Sequence, residues 1–98
     1  MANTHPYEVT FVVRPDVDEN AFTGVIDKVK NSITASGGSV TKTDIWGRRR
    51  LAYPIKKLTE GQYVLLLASL PAQSLAGLER DLRLSEEILR FLLIRVEE

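Results

Sequence analysis

Two stretches of helical apolar period each lie between strand-patterned stretches, and that order leaves few folds open. Phe22, Val25, Ile26, Val29 and Ile33 recur at three- and four-residue steps, as do Leu75, Leu78 and Leu82, with Glu79, Arg80, Asp81 and Arg83 on the opposite side. Period-two stretches surround them. Tyr7 to Val13 sets Tyr7, Val9, Phe11 and Val13 on one face and Glu8, Thr10 and Val12 on the other, until Arg14-Pro15 ends it. Ser39 to about Tyr53 gives a second strand, and Gln62 to Leu70 the third and most apolar, which predicts a central place in the sheet. Ile88 to Val96 gives the last. The β-α-β-β-α-β order predicts an α+β, ferredoxin-like sandwich, a four-stranded antiparallel sheet with two helices on one face. Ninety-eight residues suit one such domain, 1–98, with residues 1–6 expected to be a flexible N-terminus.

Boundary signals refine this order. Asp16 or Asp18 can cap the first helix, Asp16 with Glu19 having capping-box spacing, and Gly37-Gly38 stops it. Pro54 to Gly61 reads as the turn between the middle strands, and Pro71 starts the second helix. In the second strand Val40 and Trp46 fall on even positions but Leu51 and Tyr53 on odd ones, so a one-residue bulge near Gly47 is expected, returning all four to one face.

The third strand predicts an uncovered apolar face. With Val64, Leu66, Ala68 and Leu70 turned to the helices, Leu65 and Leu67 point away, with Leu89, Phe91 and Val12 as expected neighbours. Such a face suits a partner; self-association or merely scattered leucines are the plainer readings.

Charge is concentrated rather than abundant. Lys42, Arg48, Arg49, Arg50, Lys56 and Lys57 face only Asp44 between Val40 and Leu58, so this segment carries +5 in a chain of net charge zero and the remainder carries −5. Guanidinium and ammonium groups neutralise phosphates and release counterions, and Trp46 and Tyr53 offer flat faces to a base or a partner side chain. Protection of an exposed edge strand by positive charge is the alternative explanation.

No catalytic constellation is legible. The one histidine, His5, falls in the expected tail; Ser36-Gly37-Gly38-Ser39 lacks the lysine and the following helix of a phosphate loop; and Asp16, Asp18 and Glu19 are better explained by helix capping than by a calcium loop. The pairs Glu86-Glu87 and Glu97-Glu98 read as solvated acids. The lack of cysteine excludes disulfides, thiolate metal sites and a cysteine nucleophile and suits a reducing compartment, with the cytoplasm as the default; no metal, cofactor or small-molecule substrate is expected. The longest apolar run, Val64 to Leu70, is strand-sized, so no membrane span is expected, nor a secretory signal in Met1 to Pro6.

One motif resembles a known family. Gly47, Arg49, Arg50, Leu51, Ala52, Tyr53, Ile55 and Lys56 follow, in order and without a gap, the signature of the sixth protein of the bacterial small ribosomal subunit. Tyr7-Glu8-Val9, Arg14-Pro15-Asp16, Trp46 and the Gly-x-Tyr of Gly61 to Tyr63 agree with it too, over about residues 7–96. The resemblance implies a ferredoxin-like, non-enzymatic constituent of the small subunit that binds 16S-type ribosomal RNA in the central, platform region as a heterodimer with the eighteenth small-subunit protein. On that reading Arg48, Arg49, Arg50, Lys56, Lys57 and Lys42 contact RNA, while Trp46, Tyr53, Leu65, Leu67 and Phe91 serve the partner protein. The alternative is a ferredoxin-like oligomeric ligand-binding module or small enzyme whose open face pairs with a second copy. A conventional RNA-recognition motif fits less well, because Gln62 to Ala68 lacks paired stacking aromatics.

Overall fold

β1 (Thr4–Val13) is the strand on which the sheet is built, for it pairs antiparallel with β3 (Leu58–Pro71) on one side and β4 (Ile88–Arg95) on the other. β2 (Ser39–Ile55) adds to the far side of β3, giving the order β2-β3-β1-β4. Two helices, α1 (Glu19–Ala35) and α2 (Leu75–Leu84), make the crossovers, α2 following a short 3-10 turn at Ala72–Ser74. This is the expected β-α-β-β-α-β sandwich. The structure, a computed structural model, describes residues 3–96; Met1 and Ala2 of the expected flexible tail, and the Glu97-Glu98 pair, lie outside the described residues.

Strand alternation fixes the core. Tyr7, Val9 and Phe11 of β1 stand opposite Ala68, Leu66 and Val64 of β3, and residues directly opposite share a face. All six are buried, and they meet Val25, Ile26, Val29 and Ile33 of α1 and Leu78 and Leu82 of α2. Asp18 caps α1, its Oδ1 accepting the Ala21 N–H at 2.7 Å. Asp16 is turned aside into a two-pronged pair with Arg14, each bond 3.1 Å. At the other end Gly37 takes a left-handed φ of 91° while the Gly37 and Gly38 N–H groups donate to Thr34 and Ile33 carbonyls, a Schellman stop.

Four expectations need correction. β1 begins at Thr4, because β3 extends to Pro71 and so templates Thr4, His5 and Pro6, and the Pro6 carbonyl accepts the Val96 N–H at 2.9 Å. His5 is therefore a strand residue, with Nδ1 2.8 Å from an Arg95 nitrogen. The turn is also shorter than Pro54 to Gly61. Ile55 stands opposite Leu58, leaving Lys56 and Lys57 as a two-residue loop, and Pro54 is accommodated because β2 is an edge strand.

The third correction concerns β2. The bulge near Gly47 is present, between Ile45 and Gly47, with Gly47 at a φ of 86°, but the register also shifts between Val40 and Lys42 and again between Arg50 and Ile55. Val40 stands opposite Ala68 and packs on the core, whereas Trp46 stacks on Tyr63 on the open side, so these residues do not share a face. The fourth is Phe91. A register slip between Val12 and Val13 shifts the parity of β4, placing Phe91 opposite Phe11 and against the helix-side core. Arg90, Leu92 and Ile94 take the open face instead. Val12, an expected open-face neighbour, is itself covered, 3% exposed beside Leu51 at 6%.

Candidate nucleic-acid interface

The basic residues of β2 are distributed by the strand's alternation. Arg49 stands opposite Gly61 on the open-face parity, whereas Arg48 and Arg50 stand opposite Gln62 and Glu60 on the helix-side parity. Arg48 is tied down, donating to the Pro15 carbonyl at 3.1 Å, with Glu60 at 4.0 Å. Gln62 reinforces that seam by donating to the Arg14 carbonyl at 3.1 Å. Lys42 lies opposite Leu67, and Lys56 and Lys57 form the tip of the hairpin. All six cations are exposed, and among the described residues only Arg48 has a carboxylate within salt-bridge reach.

The one acid of the segment is engaged with an aromatic. Asp44 Oδ2 accepts the Trp46 indole N–H at 3.1 Å, and that indole lies parallel to the Tyr63 ring, 9° between planes and 6.3 Å between centroids. Trp46 is still 45% exposed. Arg49 lies beside this pair, so cation and aromatic surface are contiguous. Further along the same face come Leu65 and Leu67, half-buried, and on β4 the exposed Leu92 and Ile94.

Tyr53 reaches the other edge of the sheet. Its ring lies under the Arg90 guanidinium at 5.4 Å. The expected partner-facing residues Trp46, Tyr53, Leu65 and Leu67 are thus gathered over the open side, and Phe91 is not. Sequence reasoning missed Tyr63, Leu92 and Ile94. Tyr63 had a signal, the Gly-x-Tyr at Gly61, but the two β4 residues had none once the register slip is hidden. Among the described residues no group of three His, Cys, Asp or Glu side chains converges on a metal site. No helix among them is long and apolar enough to cross a membrane.

A sequence profile described as Ribosomal protein S6 matches residues 6–95. The chain belongs to that family. Small ribosomal subunit protein bS6 of Moorella thermoacetica is 45% identical over 93 residues, covering 94% of each chain. The bS6 of Methylobacterium nodulans is 47% identical over 91 residues, which span 93% of this chain and 68% of that one. In three dimensions the chain is similar to the crystal structure of 30S ribosomal protein S6 from Thermotoga maritima, with a TM-score of 0.90 and 32% identity over 96% of this chain and 89% of the other.

Membership in the S6 family makes the chain a structural, non-enzymatic component of the small ribosomal subunit, and the small-enzyme alternative is set aside on that ground. It also gives the S6-like signature a physical reading. Gly47 supplies the left-handed residue of the bulge, Leu51 is buried, Tyr53 stacks under Arg90, Ile55 closes the ladder, and Lys56 opens the turn.

Proposed function

We propose that this S6-family chain binds the small subunit's 16S-type ribosomal RNA, in the central platform region, through the β2–β3 hairpin. The eighteenth small-subunit protein docks on the open sheet face, and the cytoplasmic ribosome is where both contacts are made. The observation that carries this is the row of exposed cations Lys42, Arg49, Arg50, Lys56 and Lys57 along one edge strand and its turn, with no carboxylate paired to them among the described residues. Phosphates are the ligands such a row serves best.

The division of labour follows side-chain chemistry rather than strand parity, since Lys42 and Arg49 share the open-face parity with the apolar and aromatic residues. Trp46, Tyr53, Leu65 and Leu67 remain assigned to the protein partner, Leu92 and Ile94 join them, and Phe91 is withdrawn. Because the +5 between Val40 and Leu58 is offset elsewhere in a neutral chain, the isolated protein binds RNA weakly and the partner supplies the rest. Reconstitution on small-subunit ribosomal RNA, with and without the partner protein, tests this. Log affinity against log salt should fall with a slope of roughly −2 to −4, the range for three to five phosphate contacts. A slope near zero, or tight specific binding with no partner, overturns the reading.

A further inference from the structure

The end of α2, the start of β4 and the tip of the hairpin enclose a cleft of about 380 Å³ whose rim carries Lys56, Arg83 and Arg90. Its floor is apolar, formed by Leu82, Ile88 and Phe91. Of the acids nearby, Glu79 lies 3.9 Å from Arg83 and Glu87 accepts the Ser85 hydroxyl at 3.2 Å, while Glu86 lines the cleft beside the cations. Each arginine is steadied by a ring, Arg83 at 5.9 Å from the Phe91 centroid and Arg90 at 5.4 Å from that of Tyr53. A guanidinium held over a ring keeps its in-plane N–H donors free at the edges, where a phosphate binds them.

Cations at a rim and an apolar, aromatic floor suit the two halves of one ligand. A phosphate answers the first and a base the second. We propose that this cleft takes an unstacked nucleotide of the RNA bound by the hairpin, its phosphate between Lys56, Arg83 and Arg90 and its base on the Phe91 side. The inference rests on the RNA reading above. Lys56 supplies the continuity, since it is at once the hairpin tip and a wall of the cleft, so a strand following the hairpin arrives at the mouth.

The test uses full-length protein with the partner protein and a 4-thiouridine-substituted small-subunit RNA fragment, comparing R83Q/R90Q, Y53L and R49A/R50A across a range of salt. R83Q/R90Q should lower RNA affinity about tenfold and flatten the salt slope by about 0.9, the contribution of the one phosphate no longer neutralised. Photocrosslinks on the unsubstituted protein should map to residues 82–91. If R49A/R50A weakens binding while R83Q/R90Q leaves affinity and slope unchanged, the cleft is empty and the hairpin reading stands alone. If neither variant has an effect, the RNA reading falls and takes this proposal with it. Y53L reproducing the whole loss would show that Arg90 serves only to hold the hairpin, and weaker partner binding with RNA affinity unchanged would make the occupant an acidic protein segment; either outcome overturns the nucleotide. Should R83Q/R90Q fail to fold, the crosslinks decide, and their absence from 82–91 counts against the cleft.

Discussion

The Arg90 guanidinium lies 5.4 Å over the Tyr53 ring and so joins β4 to β2, the two opposite edges of the sheet. β3 and β1 lie between those strands, so the contact exists only because the hairpin curls across the open face. Leu51 and Val12 are buried beneath the curl, 6% and 3% exposed, although the helices cover the other side. A double-mutant cycle of Tyr53→Ala and Arg90→Ala should return a coupling of about 0.5 to 1 kcal/mol, the range for an exposed cation–π pair. Amide exchange over residues 51–60 should quicken in either single variant. No coupling, with exchange unchanged, would mean that Leu51 alone holds the hairpin down.

Two glycines should respond in opposite directions to alanine. A Cβ at Gly38 would run into the Ser69 carbonyl oxygen and meet Leu70 Cδ2 at 2.8 Å, and the first of these is backbone of the central sheet that cannot give way. Gly38→Ala should cost about 1 to 3 kcal/mol, as overpacking does. Gly77 lies inside α2 with nothing within 4 Å of its added Cβ. Gly77→Ala should stabilise by about 1 kcal/mol, raising Tm by roughly 4 to 8 °C. Thermal melting of both variants checks the pair, and an unchanged Tm for Gly38→Ala would mean that α1 and β3 leave room for a methyl group between them.

The sequence-derived expectations succeeded where alternation is uninterrupted and failed where the ladder slips. Val9, Phe11, Leu66 and Leu70 are fully buried as their parity requires, which is why the faces of β1 and β3 could be assigned from the residues alone. β4 reads Ile-Leu-Arg-Phe-Leu-Leu-Ile-Arg, apolar on both parities, so no pattern reveals that Phe91 turns inward and Leu92 outward. The slip that decides it lies between Val12 and Val13 and is a property of the pairing, not of either strand. Gly47 was legible because glycine marks a left-handed bulge, but the slip between Val40 and Lys42 has no glycine to announce it. There the Thr41 hydroxyl donates to the Leu67 carbonyl at 3.0 Å. Proline and glycine likewise pointed to a wide turn at 54–61, where two lysines make a tight one. Of the site, the cations and Trp46 were readable from composition, while the curl that brings Tyr53 to Arg90 depends on tertiary packing.

Acid should reveal the Arg14–Asp16 pair. Hydrogen bonding from Arg14 holds the Asp16 carboxyl below the usual carboxylate range, with burial opposing it, and the same bond raises Arg14. The folded carboxylate binds its proton less readily than the unfolded one, so the pair's contribution is complete above the ordinary Asp value of about 3.9 and is lost as pH falls through the lower folded value. Both groups are exposed, so the contribution is small. Asp16→Asn should leave the melting temperature near neutrality almost unchanged and make its decline below about pH 4 less steep. A constant offset between the two curves at every pH would show that the pair does not titrate with folding.

The hairpin tip offers a way to separate stability from the proposed RNA affinity, because its two lysines carry exposed charge but do not suit the turn. Lys56 and Lys57 both have positive φ, 51° and 68°, which a two-residue hairpin loop of type I′ requires and which Asn-Gly adopts with least strain. An L-residue other than glycine or asparagine held there costs roughly 1 to 2 kcal/mol. Lys56→Asn with Lys57→Gly should therefore stabilise the fold by at least about 1 kcal/mol, a rise of roughly 4 to 8 °C in Tm. The same double variant removes two exposed cations at the tip, so its RNA affinity should fall and its salt slope flatten by about 1 to 2. Melting curves and salt-titrated RNA binding on one preparation would read both effects. A variant that is more stable and binds RNA as tightly as before would show that the lysines occupy the turn without serving the interface.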